Sequence, residues 1–388
     1  MLVIGLGQCG GRIADEFARL NRKAQSQRGI EIVTGAFAVN TDIADLSGLS
    51  RIKPDYQHRI LIGGRKTGGH GVGKINELGA EVAREDADKV IDSIIGTRRL
   101  SEADAFLLVA GAAGGTGSGA MPVMTQHIKE RFMDKPVYAL VVLPFEHEEQ
   151  TEERTVYNAA TCLKSTYLVA DAIIVVDNQR YASRDASIRS NLSHINSLIA
   201  DPFFNLLCAG EEKKPKYIGA KLLDAGDIIQ TLVGWTVLGY SQSHISIFQP
   251  FKKTFDFRKK ASETQKGIEA VDDALSRLSL KCDPADAKRA LYLISAPPKE
   301  MNVDLIKEVG VSLRSKAPEA IIRSGDYPRA KGSLDLSLIL SELGDAAKVR
   351  DYFTKTLNLI SAIRKKQEGL EGDLSALDLS LKDIPSLL

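Results

Sequence analysis

GAAGGTGSG (111–119) stands between AFLLVA (105–110), an apolar run of strand length, and AMPVMTQHIKERFM (120–133), which reads as a helix. Five glycines, two alanines, Thr116 and Ser118 leave this connection almost no side-chain bulk. So bare a backbone can close its N–H groups on a ligand, and the following helix adds the positive end of its dipole. Together they suit a phosphate chain. A plain strand-to-helix turn is the other reading, but turns rarely need nine small residues in a row.

Working outward, the flanking segments alternate strand and helix. LVIGL (2–6) ends in Gly7, Gln8, Cys9, Gly10 and Gly11, and RIADEFARLNRKAQ (12–25) carries Ile13, Phe17 and Leu20 at helical spacing. GAFAVNTD (35–42) is a strand closing on Asn40, Thr41 and Asp42. RILIGG (59–64) is another, followed by the glycine-rich KTGGHGVGK (66–74). ELGAEVAREDADKVIDSII (77–95) reads as one long amphipathic helix. Beyond the central loop come VYALVVLPF (137–145), a helix near 150–168, and DAIIVVDN (171–178). Six strands separated by helices predict a parallel, doubly wound α/β sheet. Such sheets bind ligands beyond the carboxyl ends of their strands, where every glycine-rich loop here falls.

From 186 the rhythm changes. ASIRSNLSHINSLIADPFFNLLCAG (186–210) reads as one long helix with Pro202 as its weak point, and EEKKPK (211–216) as a charged break. LLDAGDIIQTLVGWTVLGY (222–240) returns to a helical apolar pattern. Strands are expected at HISIF (244–248), ALYLISA (290–296), AIIRSG (320–325) and LDLSLIL (334–340), with helices near 261–280, 302–316 and 345–366. The expected organisation is a nucleotide-binding domain (1–185), a central connecting helix (186–210), a smaller mixed α+β domain (211–366) and a mobile tail (367–388).

Composition narrows the function classes. With 51 basic against 50 acidic side chains, nothing favours nucleic acid or an anionic membrane. Cys9, Cys162, Cys208 and Cys282 have no metal or redox spacing, which fits a reducing cytoplasm. No run approaches a membrane span, and MLVIGLGQCGG lacks the basic head and cleavage site of a signal peptide.

Two familiar phosphate motifs fail at a testable position. Gly5, Gly7 and Gly10 satisfy G-x-G-x-x-G after a strand, which alone would suggest a Rossmann-type oxidoreductase using NAD(P). The ribose-binding acid belongs about 20 residues further on, whereas Asp42 lies 32 beyond Gly10. Gly68 to Lys74 approaches G-x-x-x-x-G-K-[ST], but Ile75 replaces the magnesium-binding hydroxyl. What remains is a sheet that offers loops at 7–12, 68–74 and 111–119 to one phosphate chain.

The same residues, taken in order, resemble the tubulin and FtsZ superfamily of polymer-forming GTPases, and within it the archaeal CetZ group. GAAGGTGSG is similar to the GGGTG(S/T)G phosphate loop, with alanines at 112 and 113. GQCGG (7–11) resembles the tubulin first loop, VNTD (39–42) the FtsZ second loop and GHGVGKINELG (69–79) the CetZ third loop. PFEHE (144–148) matches the PFxxE ribose loop, and YNA (157–159) is tubulin-like. The likeness is close over roughly 1–245 and only a pattern beyond.

The resemblance implies a GTP-binding site and a set of roles. Gly7, Gln8, Cys9, Gly10, Gly11 and Arg12 would lie along the phosphates, with Asn40, Gly71 and Ala112 nearby. Gly114, Gly115, Thr116, Gly117 and Ser118 would wrap them by backbone amides. Asp42 would hold Mg2+ through water, Glu148 would face the ribose together with Arg154, and Asn178 and Asn196 would read guanine. Asp224 and Asp227, in LLDAGDII, would complete the next subunit's site; read alone, they are helix caps. The expectation is a cytoplasmic cytoskeletal GTPase activated by head-to-tail self-assembly and serving cell shape. Its tail would be available to an adaptor, and it would neither bind nucleic acid nor insert in a membrane. A non-polymerising GTP-binding regulator is the other reading that keeps the nucleotide.

Overall fold

The computed structural model describes residues 1–182, 188–244, 256–330, 332–368 and 387, in two compact units. The first comprises 1–19, 33–196 and 345–388; the second comprises 20–32 and 197–344.

In the first unit, β1 (Leu2–Leu6) leads into α1 (Gly7–Arg28), whose second half belongs to the other unit. Next come β2 (Gly35–Asn40), α2 (Ile43–Ser47), β3 (Arg59–Leu61), α3 (Gly64–Thr67), α4 (Asn76–Glu85) and α5 (Ala87–Ile95). Then follow β4 (Phe106–Gly111), α6 (Thr116–Arg131), β5 (Val137–Leu143), α7 (Glu146–Thr151), α8 (Glu153–Tyr167), β6 (Ala172–Asp177) and the start of α9 (Ile188–Ala209). The strands lie in the order β3-β2-β1-β4-β5-β6, all parallel. Every residue of β1, β5 and β6 is buried, as expected of parallel strands covered on both faces. All six strands end on the same edge, so the loops after β1, β2, β3 and β4 converge.

Three helix boundaries differ from the sequence reading: α1 begins at Gly7 rather than 12, so the expected first loop, GQCGG, is already the first turn of a helix. The 77–95 helix breaks at Asp86, whose Oδ2 accepts the N–H of Gly63 at 2.6 Å and holds that glycine at φ +65°. α6 begins at Thr116 rather than 120, so the second half of GAAGGTGSG is already helical. Of the expected tail, 369–386 and 388 lie outside the described residues. Leu387 is buried: its N–H donates to Ser165 Oγ and its carbonyl accepts from Arg84 Nη2, both at 2.9 Å.

The second unit holds the rest of α9, α10 (Ala225–Thr231), β7 (Gly234–His244), α11 (Asp256–Ser276), β8 (Arg289–Ala296), α12 (Val303–Lys316), β9 (Ile321–Pro328) and β10 (Ser333–Ser341). α13 (Ala347–Glu368) returns to the first unit. The order β7-β10-β8-β9 is mixed: β10 is antiparallel to both neighbours, and β8 and β9 are parallel. The helical pattern expected through 222–240 is overturned. α10 stops at Thr231, Gly234 (φ +57°) turns the chain, and WTVLGY runs on as strand. Of HISIF, 245–248 lie outside the described residues, as do 186 and 187 of the long helix. The charged break is anchored: buried Glu212 accepts from Arg28 Nη2 (3.3 Å), the Tyr327 hydroxyl and the amides of Lys213 and Lys214 (3.1 Å each). Each of its charges and lone pairs thus has a partner, as a buried carboxylate requires.

Candidate functional site

The glycines of the first and fourth loops are demanded chiefly by the protein's own packing. A Cβ at Gly10 would lie 2.0 Å from the Val109 carbonyl oxygen, and one at Gly119 would lie 2.1 Å from that of Asn76. At Gly7, already at φ +68°, a Cβ would meet the Gly117 nitrogen at 2.8 Å. Gly115 has an ordinary φ of −86°, but a Cβ there would strike Val72 Cγ2 at 2.5 Å and the backbone of Lys74 and Ile75 at 2.9 Å. Of the five glycines in 111–119, only Gly114 has nothing within 4 Å. The loop therefore packs tightly behind and opens at one point. At that point α6 begins, and the amides of its first turn have no intrahelical acceptor, leaving donors and dipole for an anion.

The second loop is tied to both neighbours by residues that expose little of their polarity. Asn40 is 4% exposed; its Oδ1 accepts from the amides of Thr41 (2.8 Å) and Asp42 (3.3 Å). Its Nδ2 donates to Asp45 Oδ2 at 3.1 Å, and Gln8 Nε2 donates to Asp45 Oδ1 at 2.6 Å. Asp45, absent from the sequence reading, thus joins the first and second loops. The hydroxyls of Thr41 and Thr116 meet at 2.6 Å in a buried contact, linking the second and fourth. Gly71, at φ +82°, donates its amide to the Thr41 carbonyl at 3.1 Å and brings in the third loop. Asp42 caps α2 through Oδ1, which accepts the Asp45 amide at 3.1 Å. Ala112 is buried, its amide bonded to the Val142 carbonyl at 2.8 Å, so it extends the sheet beneath the loop.

Asn158 on α8, in the YNA segment, is the second residue that the sequence reading did not select as a site residue. It is fully buried, and its Nδ2 donates to the carbonyls of Lys74 (2.9 Å), Ala113 (3.1 Å) and Gly114 (3.2 Å). One amide group therefore fixes the third loop to the fourth. Its sequence signals are the tubulin-like YNA match and an amide placed inside an otherwise core-facing helix, neither of which says what it binds. Asn158→Ala is expected to cost about 1–3 kcal/mol, the penalty for stranding buried partners. Asn158→Asp is expected to cost more, because a carboxylate would face three carbonyl oxygens. Thermal unfolding of the two variants checks the order.

Around the remaining expected positions the structure is more selective. Glu148 Oε2 accepts the Phe145 amide at 2.9 Å, closing the first turn of α7. Burial pushes the half-buried Cys9 thiol up to about 12, with Arg12 opposing the rise and Glu148 adding to it. Cys9 therefore stays a neutral thiol beside these two charges. Arg154 pairs with Glu77 of α4 and lies over the Tyr157 ring at 5.3 Å, so its charge is committed within the protein. Half-buried Asn178 follows β6, with no side-chain hydrogen bond among the described residues, and half-buried Asn196 lies on α9. Among the described residues, no group of three or more His, Cys, Asp or Glu side chains could hold a metal.

The acid loop belongs to the second unit. Asp224 is the N-cap of α10, its Oδ1 accepting the Asp227 amide at 2.8 Å. Asp227 stands in the first turn, half-exposed, with its Oδ1 3.3 Å from Arg323 Nε on β9. Capping therefore falls to Asp224, and the Asp227 carboxylate is engaged only from the side.

Residues 1–183 match the model of the Tubulin/FtsZ family GTPase domain, and 185–358 match the tubulin-like CetZ C-terminal domain. Tubulin-like protein CetZ1 of Haloferax volcanii is 35% identical over 350 residues, covering 84% of each chain. A solved GDP-bound monomer of that CetZ1 superposes with a TM-score of 0.79 at 31% identity, over 92% of this chain and 99% of the other. CetZ2 from the same organism, solved as a GTPγS-bound protofilament, gives 0.79 at 29% identity over 94% and 99%. Both domains in sequence, a relative above 30% identity and the parallel sheet with its four joined loops agree: this chain belongs to the CetZ group of the Tubulin/FtsZ family.

Proposed function

We propose that this chain binds GTP in the four loops at the carboxyl edge of its parallel sheet. It polymerises head to tail, and each subunit's acid loop completes the neighbour's hydrolytic site. The observation that carries the reading is the joining of loops 7–12, 40–45, 68–75 and 111–119 through Asp45, the Thr41–Thr116 contact and Asn158, with open space at Gly114. That cradle suits the phosphates, and a relative with the same overall fold, CetZ2, is solved as a protofilament with GTPγS. Magnesium fits as an ion held mainly by the nucleotide. Asp42 keeps Oδ2 without a bond among the described residues, which suits a water-mediated contact. When bound, the ion would neutralise charge on the phosphates. Asp224 and Asp227 would orient the attacking water and accept its proton.

A heterologous contact whose rotation does not close generates an open filament, and we assign the filaments to cell shape in the cytoplasm, with the tail as an adaptor's attachment. Shared sites make turnover per subunit rise with protein concentration. Electron microscopy with GTP and with GDP, run beside turnover from dilute to concentrated protein, tests this. Turnover per subunit that is constant over the range, with no filaments, overturns it in favour of the non-polymerising regulator.

The base is read by Asn178 and Asn196, since an amide both donates and accepts. Inosine triphosphate lacks the exocyclic amine of guanine, so the wild-type protein is expected to prefer GTP over it. Replacing the contributing asparagine by Ala should cut that preference by about tenfold, the worth of one hydrogen bond between neutral groups. Competition between the two nucleotides checks it, and an unchanged ratio in both variants removes the assignment.

A further inference from the structure

We propose that Arg323 is a positioning residue of the acid loop: it holds the Asp227 carboxylate in one orientation and offsets its charge, so that the loop can approach a neighbour's triphosphate. The inference rests on the reading of Asp227 just given. Arg323 reaches Asp227 Oδ1 at 3.3 Å through Nε, and its Nη2 donates to Gln230 Oε1 one turn further along α10. The guanidinium therefore hydrogen-bonds position i+3 of one short helix and lies within ion-pair distance of position i, both from the neighbouring strand. Gln230 is itself held, its carbonyl accepting from Arg289 Nη1, and Arg289 pairs with Glu342 at 2.6 Å.

β9 braces the approach to that helix as well. Lys221 Nζ donates to Ser324 Oγ at 2.7 Å. The buried Asp326 carboxylate accepts the amides of Ala220 (2.9 Å) and Lys221 (2.5 Å). Three residues of one strand, Arg323, Ser324 and Asp326, thus set where the acid loop starts and where its second acid points.

Stability does not account for the ion pair. With side chains 22% and 36% exposed, it is of the kind that contributes little to folding. Its chemical consequence is larger. Asp224 and Asp227 together would bring two negative charges towards a polyanion, an approach opposed by Coulomb repulsion. A cation beside Asp227 removes half of that charge and keeps the carboxylate ionised, as orienting a water requires.

The experiment uses the full chain as wild type, R323Q, R323K, D227N and the D227N/R323Q double variant. GTP turnover is divided by pelleted polymer and measured at several salt concentrations. R323Q is expected to lower turnover per polymerised subunit by at least about tenfold and up to about 10²-fold, the cost of an ångström-scale misplacement of a catalytic group, with GTP affinity unchanged. The deficit should shrink as salt screens the repulsion, R323K should restore most of the rate, and the double variant should be no slower than D227N. R323Q within about twofold of wild type beside an inactive D227N overturns the proposal and leaves the acid loop standing. So does a deficit that neither salt nor R323K relieves, because the arginine is then only an anchor between β9 and α10. A D227N protein at the wild-type rate removes the acid-loop reading itself, and this proposal with it.

Discussion

Asp227→Asn is expected to lower GTP turnover by roughly 10²–10⁴-fold, the usual contribution of a general base, while GTP should still bind. The substitution keeps the size of the side chain, and the helix keeps its cap, because Asp224 and not Asp227 accepts the capping amide. The nucleotide loops lie in the other unit and are untouched. Filaments should therefore form and persist, since the hydrolysis that would destabilise them is lost. Adding a small fraction of wild-type protein should restore turnover in proportion to its incorporation, each wild-type acid loop serving one neighbour. Turnover and polymer mass measured together check the result. An Asp227→Asn protein shown by sedimentation to be monomeric, yet hydrolysing at the wild-type rate, would falsify a site shared between subunits.

Gly114→Val is expected to weaken GTP binding without unfolding the protein, whereas Gly115→Val should disturb both. The difference follows from where each Cβ would point. At Gly114 it enters open space at the mouth of the loops, at a backbone outside the left-handed region, so the folded chain accommodates it. A ligand lying there would not. Forced overlap costs about 1–3 kcal/mol, which weakens GTP roughly 5- to 150-fold. At Gly115 the side chain meets Val72 and the backbone of Lys74 and Ile75, so the third loop is pushed off the fourth. That variant should show a lower melting temperature even without nucleotide. Nucleotide titration and thermal unfolding of both proteins separate the cases. Full GTP affinity in Gly114→Val would mean that the space beside it is not the phosphate path.

The contrast between these glycines shows where sequence reading stops. A run of small residues after a strand announces that something must approach the backbone closely. It does not say what approaches. At Gly10, Gly115 and Gly119 the answer is the protein's own backbone or side chains, and within 111–119 only Gly114 is left for a ligand. Local composition is the same at all of them; the partner is distant in the chain.

Continuous apolar runs such as LVIGL, VYALVVL and AIIVVD are buried on both faces, which only a covered parallel sheet allows, so the strands and their common edge could be read directly. The 222–240 segment could not. TLVGWTVLGY satisfies a helical period, and the strand won because β10 offers a partner from residues 333–341. Asp45 was hidden, and Asn158 was visible only as part of the tubulin-like YNA, since a short acid after NTD or an amide in a helix carries no sign of the loops it joins. The resemblance sets Arg154 towards the ribose, and what the tertiary structure adds is its pairing with Glu77. By itself the sequence determined the alternation of elements, the strand ends at which a phosphate ligand belongs and the presence of two acids before α10, because period and composition are local. Only the tertiary structure decided which glycines are open, which amide fastens the loops and which acid is capped while the other pairs with Arg323, because each depends on groups brought together from far along the chain.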